Sequence, residues 1–157
     1  DVVIQAVSYE PAAALITRMR AAGYLGGFSN YSFVGSLSLA ARLKQTGVGT
    51  EITQVVPFPN KARLPIVYEY QKALESSPGA RCNFIGLEGY IAARVLVEGL
   101  RRAGPQLTRA GLIRALESIT PANYDGGGFS LQFGRTDHSG SDFVDLTAIG
   151  AGGRFIN

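Results

Sequence analysis

The apolar positions of this chain change rhythm several times, and each change marks an element. Val2, Val3, Ile4, Ala6 and Val7 make a nearly continuous apolar run. That run predicts a strand over about residues 2–7, apolar on both faces and set in the middle of a parallel α/β sheet. Ser8-Tyr9-Glu10 gives a short polar turn, and residues 12–22 read as an amphipathic helix with Pro11 in its first turn and Gly23 closing it. The same order recurs. Residues 26–32 give a short strand and a polar turn, and residues 34–45 a helix whose stripe of Val34, Leu37, Leu39, Ala40, Ala41 and Leu43 runs near the helical period. Ile52-Thr53-Gln54-Val55-Val56 is a third strand, ending at Pro57-Phe58-Pro59-Asn60.

The prolines change the grammar, because proline fixes its own φ and pushes the preceding residue out of the helical region. Three helical stretches follow, over residues 66–75, 87–102 and 108–118, with Thr108 placed as an N-cap. The tail turns strand-like again. Tyr124-Asp125-Gly126-Gly127-Gly128 reads as a flexible turn, residues 129–133 alternate, residues 134–140 form a polar hairpin-like loop, and residues 142–150 alternate as a half-buried strand before Arg154-Phe155-Ile156. These parts do not close on themselves. Two strand–helix units and a third strand leave the middle helices without a sheet to cover, and a helix with one apolar face must bury it against something. The partner is another chain or another part of the same one.

Composition narrows the picture. The chain has 157 residues, 46% of them hydrophobic and 17% charged, which is globular in character. Its net charge of +3 comes from arginines and lysines dispersed among apolar residues on helices, so it reads as solvated faces and not as a nucleic-acid patch. No apolar run approaches the roughly 18 residues that span a bilayer, and no signal-peptide pattern is present. A single cysteine, Cys82, excludes an internal disulfide, and with a single histidine, His138, it argues against a protein-held metal. The first buried position falls at residue 2, in mid-strand, which leads to the expectation of a piece of a longer or cleaved polypeptide.

In order and spacing, several motifs resemble the type I periplasmic solute-binding proteins of branched-chain amino acid ABC transporters (Leu/Ile/Val-binding-protein-like), in their carboxyl-terminal portion. They are the opening Asp-Val-Val-Ile strand running to Ser8-Tyr9-Glu10-Pro11, and the helix ending Arg18-Met19-Arg20-Ala21-Ala22-Gly23. Glu88-Gly89-Tyr90-Ile91-Ala92-Ala93-Arg94, Leu107-Thr108-Arg109-Ala110-Gly111-Leu112-Ile113-Arg114-Ala115-Leu116, and Gly127-Gly128-Phe129 to Phe133-Gly134 complete the set. The resemblance implies an α/β fold with two Rossmann-like lobes joined by three crossings, only partly represented here. By that pattern residues 1–56 belong to the second lobe, 57–60 are a hinge crossing, 61–142 are helices and a hairpin of the first lobe, and 143–157 return to the second. The implied function is extracytoplasmic (periplasmic) solute binding for an ABC uptake transporter, by closure of the lobes on a small amino acid or a carboxylic or aromatic acid. The implied partners are that ligand, the membrane permease and the amino-terminal remainder of the same protein, with no nucleic acid and no cofactor. A ligand-sensing regulatory or receptor domain of the same fold is the alternative.

In open α/β sheets ligands bind beyond the carboxyl ends of the strands. Tyr9 is accordingly the leading candidate contact, against a tyrosine merely packed on the sheet edge. Ser8 and Glu10 flank it, and each is equally a helix cap. Asn30, Tyr31 and Ser32 form the second such turn; they are neutral where amino-acid binders of the family commonly place an acid, which favours a ligand without an amine, or an amine countered by Glu10. Phe58 either lines the cleft or anchors the hinge. An enzyme reading lacks support: His138 sits in a turn-like loop, and no Gly-x-Ser-x-Gly elbow, phosphate-binding loop or dinucleotide fingerprint occurs.

Overall fold

A computed structural model describes residues 1–156, which divide into two compact units, residues 1–55 with 144–156 and residues 56–143. The first unit holds β1 (Val2–Gln5), α1 (Tyr9–Ala21), β2 (Gly27–Asn30), α2 (Ser36–Leu43) and β3 (Glu51–Gln54), then β4 (Asp145–Ile149) and β5 (Phe155–Ile156). The strands form one sheet in the order β1-β2-β3-β4-β5. The first three are parallel, and β4 and β5 run antiparallel to their neighbours. The parallel pairs need crossovers, and α1 and α2 supply them.

One face of this sheet carries the core. Phe28, Ile52 and Ile149 from the strands meet Ala12, Ala13 and Ile16 of α1 and Leu39, Ala40 and Leu43 of α2, all buried. The small alanines of α1 let that helix lie close to the sheet, while α2 fills the remaining depth with leucines. The other face is different. Val2 and Ile4 are 61% and 70% exposed, and Leu146 and Ile156 share that exposure. β1 was expected in mid-sheet with both faces covered; it is the edge strand, covered on one side only. An apolar run states that both faces avoid water, and it does not state which chain segment does the covering.

The second unit contains α3 (Pro65–Leu74), α4 (Phe84–Ala103) and α5 (Arg109–Glu117). Its buried residues include Ile66, Val67 and Tyr70 of α3, Phe84, Leu87, Ile91 and Val95 of α4, and Ile119, Phe129 and Leu131 beyond α5. The helix starts follow the local sequence. Asn83 Oδ1 accepts from Gly86 N at 2.8 Å and Thr108 Oγ1 accepts from Gly111 N at 3.0 Å. The start of α3 is capped from a distance, because Ile66 N donates to Gly127 O at 2.9 Å. The expected strand over residues 129–133 does not form. Its alternation meets no partner strand, only one antiparallel bridge between Gln132 and Gly140, and Phe133 N donates instead to Ile119 O at 3.0 Å.

Candidate functional site

The carboxyl ends of β1 and β2 lie side by side, since Gln5 pairs with Asn30 in the parallel register. After β1 the chain needs three residues to enter α1. Ser8 takes the N-cap position in extended conformation, yet its side chain makes no capping bond and is exposed. Glu10 falls in the first turn, where the helix dipole favours an anion. Tyr9 is half-buried; its ring packs against the unit's core while its hydroxyl donates to Glu10 Oε1 at 3.5 Å.

After β2, Ser32–Val34 form a single 3-10 turn, closed by Val34 N donating to Tyr31 O at 3.0 Å. Val34 is buried and pins the turn, and Gly35, at φ 83°, reverses the chain into α2. Tyr31 and Phe33 point outward with parallel rings, 6.3 Å between centroids and 7° between planes. Ser32 is half-buried between them in sequence.

The structure therefore brings together Ser8, Tyr9 and Glu10 at one strand end and Tyr31 and Ser32 at the next. Asn30 lies elsewhere than on the expected turn. It is the last residue of β2, and the two-residue period of the strand turns it to the covered face, 1% exposed. Its Nδ2 donates to Glu51 O at 3.4 Å, and its Oδ1 has no protein partner. Phe58 belongs to the second unit, where it packs edge-on to Phe84 at 5.5 Å and carries the Lys61 ammonium 4.9 Å from its ring centre.

Two features escaped the sequence reading. One is Phe33, which lies between the predicted turn of residues 26–32 and the predicted helix of residues 34–45, although an aromatic in a turn after a strand is itself a signal. The second is a row of buried amides at the strand ends, Gln5, Asn30 and Gln54. Gln5 Nε2 donates to Ala12 O at 3.5 Å, and Gln54 Nε2 donates to Ser36 Oγ at 3.2 Å and Thr147 Oγ1 at 2.9 Å. Thr147 Oγ1 donates in turn to Ile52 O at 3.1 Å. This network ties the first residue of α2, directly after the aromatic turn, to β3 and β4, so the turn stands on a hydrogen-bonded base.

The site offers hydroxyls, one carboxylate and aromatic faces, which suits holding a solute. Elsewhere, burial pushes the Cys82 thiol up, and its Sγ donates to Pro59 O at 2.9 Å, the setting of an unreactive thiol. His138 Nε2 faces Glu117 Oε1 at 3.2 Å. Among the described residues no three His, Cys, Asp or Glu side chains gather as a metal site, and no helix is long and apolar enough to cross a membrane.

A family model described as periplasmic binding protein matches residues 1–154. Among solved structures, a possible leucine/isoleucine/valine-binding protein from Rhodopirellula baltica is 33% identical with TM-score 0.89, covering 99% of this chain and 42% of its own. A substrate-binding periplasmic protein from Ralstonia solanacearum is 31% identical with TM-score 0.84, covering 99% and 44%. A branched-chain amino acid ABC transporter structure from Thermus thermophilus with bound valine is 19% identical with TM-score 0.81, covering 99% and 44%; at that identity the likeness is one of fold. The chain thus spans less than half the length of these structures. No curated protein matches it by sequence.

Proposed function

The chain belongs to the periplasmic binding protein family, and on that premise we propose that it is the carboxyl-terminal portion of an extracytoplasmic solute-binding protein that serves an ABC uptake transporter. Its solute is a small amino acid or a carboxylic or aromatic acid, handed to a membrane permease. The observation that carries this reading is the pairing of two outward-facing turns at adjacent parallel strand ends, with Ser8, Tyr9 and Glu10 on one and Tyr31 and Ser32 on the other. The family resemblance adds Phe58 as a further candidate contact.

The lobe assignment is part of the same proposal: residues 1–56 and 143–157 in the second lobe, 57–60 as a crossing, 61–142 in the first. It is supported by the division of the chain after Val55 and after Phe143. The remaining strands and helices come from the rest of the protein, and they cover the sheet face bearing Val2 and Ile4. The test is titration calorimetry of the complete protein against a panel of aliphatic amino acids, alkanoic acids and aromatic acids, followed by Tyr9→Ala. A solute from the panel is expected to bind and Tyr9→Ala to weaken it about tenfold, or about 1.4 kcal/mol, in a protein that still folds. A Tyr9→Ala protein of undiminished affinity removes that residue from the site.

A further inference from the structure

The turn after β2 spends two large aromatic rings on water. Tyr31 is 47% and Phe33 is 63% exposed, although Phe28, on the strand just before them, is fully buried in the core. A turn whose only task was to connect β2 to α2 has no use for either ring. Their backbone is fixed: Val34 is buried beneath them, Val34 N donates to Tyr31 O, and Leu39 N donates to Gly35 O at 3.0 Å. The rings are therefore presented on a rigid support, which lowers the ordering cost of any contact they make. Tyr9 borders the same corner, with its Cδ1 3.9 Å from where a side chain on Gly35 would begin.

The charges at this corner are lopsided. The segment Asn30-Tyr31-Ser32-Phe33-Val34-Gly35 carries no acidic or basic side chain, and Glu10 is the only carboxylate on the flanking turn. A carboxylate of a solute placed here would meet Glu10 as a like charge, whereas a flat neutral ring would meet aromatic faces and edges.

We propose that Tyr31 and Phe33, with Tyr9 beside them, form a stacking corner for a planar aromatic ring, so that the solute is an aromatic carboxylic acid bound ring-first, with its acid group pointing away from Glu10. This rests on the solute-binding reading above and narrows it. Phe33 becomes a specificity-determining residue. An aliphatic group of the same size gains contact area at this corner and lacks the ring-to-ring geometry.

The experiment uses the complete protein with three probes in titration calorimetry: benzoate, cyclohexanecarboxylate, which keeps the size and charge and loses the flat ring, and L-leucine. Benzoate is expected to bind at least about tenfold more tightly than either of the others. Phe33→Leu should abolish that preference for benzoate over cyclohexanecarboxylate without lowering the unfolding temperature, because the ring is exposed in the unit. Binding of cyclohexanecarboxylate as tight as that of benzoate, or an unchanged preference in Phe33→Leu, overturns the stacking corner. Binding of L-leucine in preference to benzoate overturns it too while leaving the solute-binding reading intact. Failure of every acid and amino acid tried overturns both.

Discussion

At the scale of single residues, one tightly constrained position is a glycine of the second unit. Gly127 sits at φ 67°, and a Cβ there would lie 2.8 Å from Ile66 N, the very donor that Gly127 O accepts to start α3. Gly127→Ala therefore combines left-handed strain with a backbone clash at a helix cap. A loss of at least about 2 kcal/mol is expected in urea unfolding; a loss within error of zero means that the segment is free to move. The sequence marked Gly126-Gly127-Gly128 as a flexible turn, since three glycines say only that special backbone angles are available. The long-range bond that uses them connects positions 61 residues apart, and no local pattern reports it. Asn30 makes the complementary point. Its residue type suits a turn, but the strand register at Gln5 and Ile52 decided that it faces inward.

At the scale of elements, one side chain ties α4 to the segment that follows α5. Arg102 donates from Nε to Glu98 at 2.7 Å, from Nη1 to Ser118 O at 3.0 Å, and from Nη2 to Asn123 O at 2.9 Å. The planar guanidinium fork reaches three residues at once from three separate nitrogens, a spread that the single nitrogen of an ammonium lacks. Arg102→Lys is expected to lose roughly 1–2 kcal/mol in thermal unfolding, and an unperturbed Arg102→Lys protein means that the fork is dispensable. The hydrogen bond from Arg102 holds the Glu98 carboxyl below its ordinary 4.5. A depressed folded value stabilises above the unfolded one, so this contribution is present above pH about 4.5 and is lost as the pH falls through the folded value. A stability difference between wild type and Arg102→Lys that persists unchanged at pH 2 removes the Glu98 contact from its cause.

At the scale of the whole molecule, the two apolar faces of the first unit's sheet carry different information. The covered face is a closed core. The other displays Val2, Ile4, Leu146 and Ile156. If the rest of the complete protein covers it, Ile4→Glu buries an unpaired charge there and costs roughly 2 kcal/mol or more. The check is the denaturation midpoint of the complete protein; a midpoint equal to that of wild type denies that the face is covered. Family membership and the match of fold to structures more than twice the chain's length are the context in which that face has a partner.

By itself the sequence determined the order of most elements and their bounds to within a few residues, because helix caps, prolines and apolar periods act locally: Thr108 caps α5 and Gly23 takes the left-handed position after α1. It also pointed to Ser8, Tyr9, Glu10, Tyr31 and Ser32, since turns after parallel strands are recognisable as they stand. Only the tertiary structure decided what depends on pairing between distant segments. It set β1 at the sheet edge, left residues 129–133 without a strand partner, turned Asn30 inward, and raised Phe33 beside Tyr31 on a turn braced by Val34. The physical reason is the same in each case. A local pattern fixes which groups must find partners, and the folded chain fixes which partners are within reach.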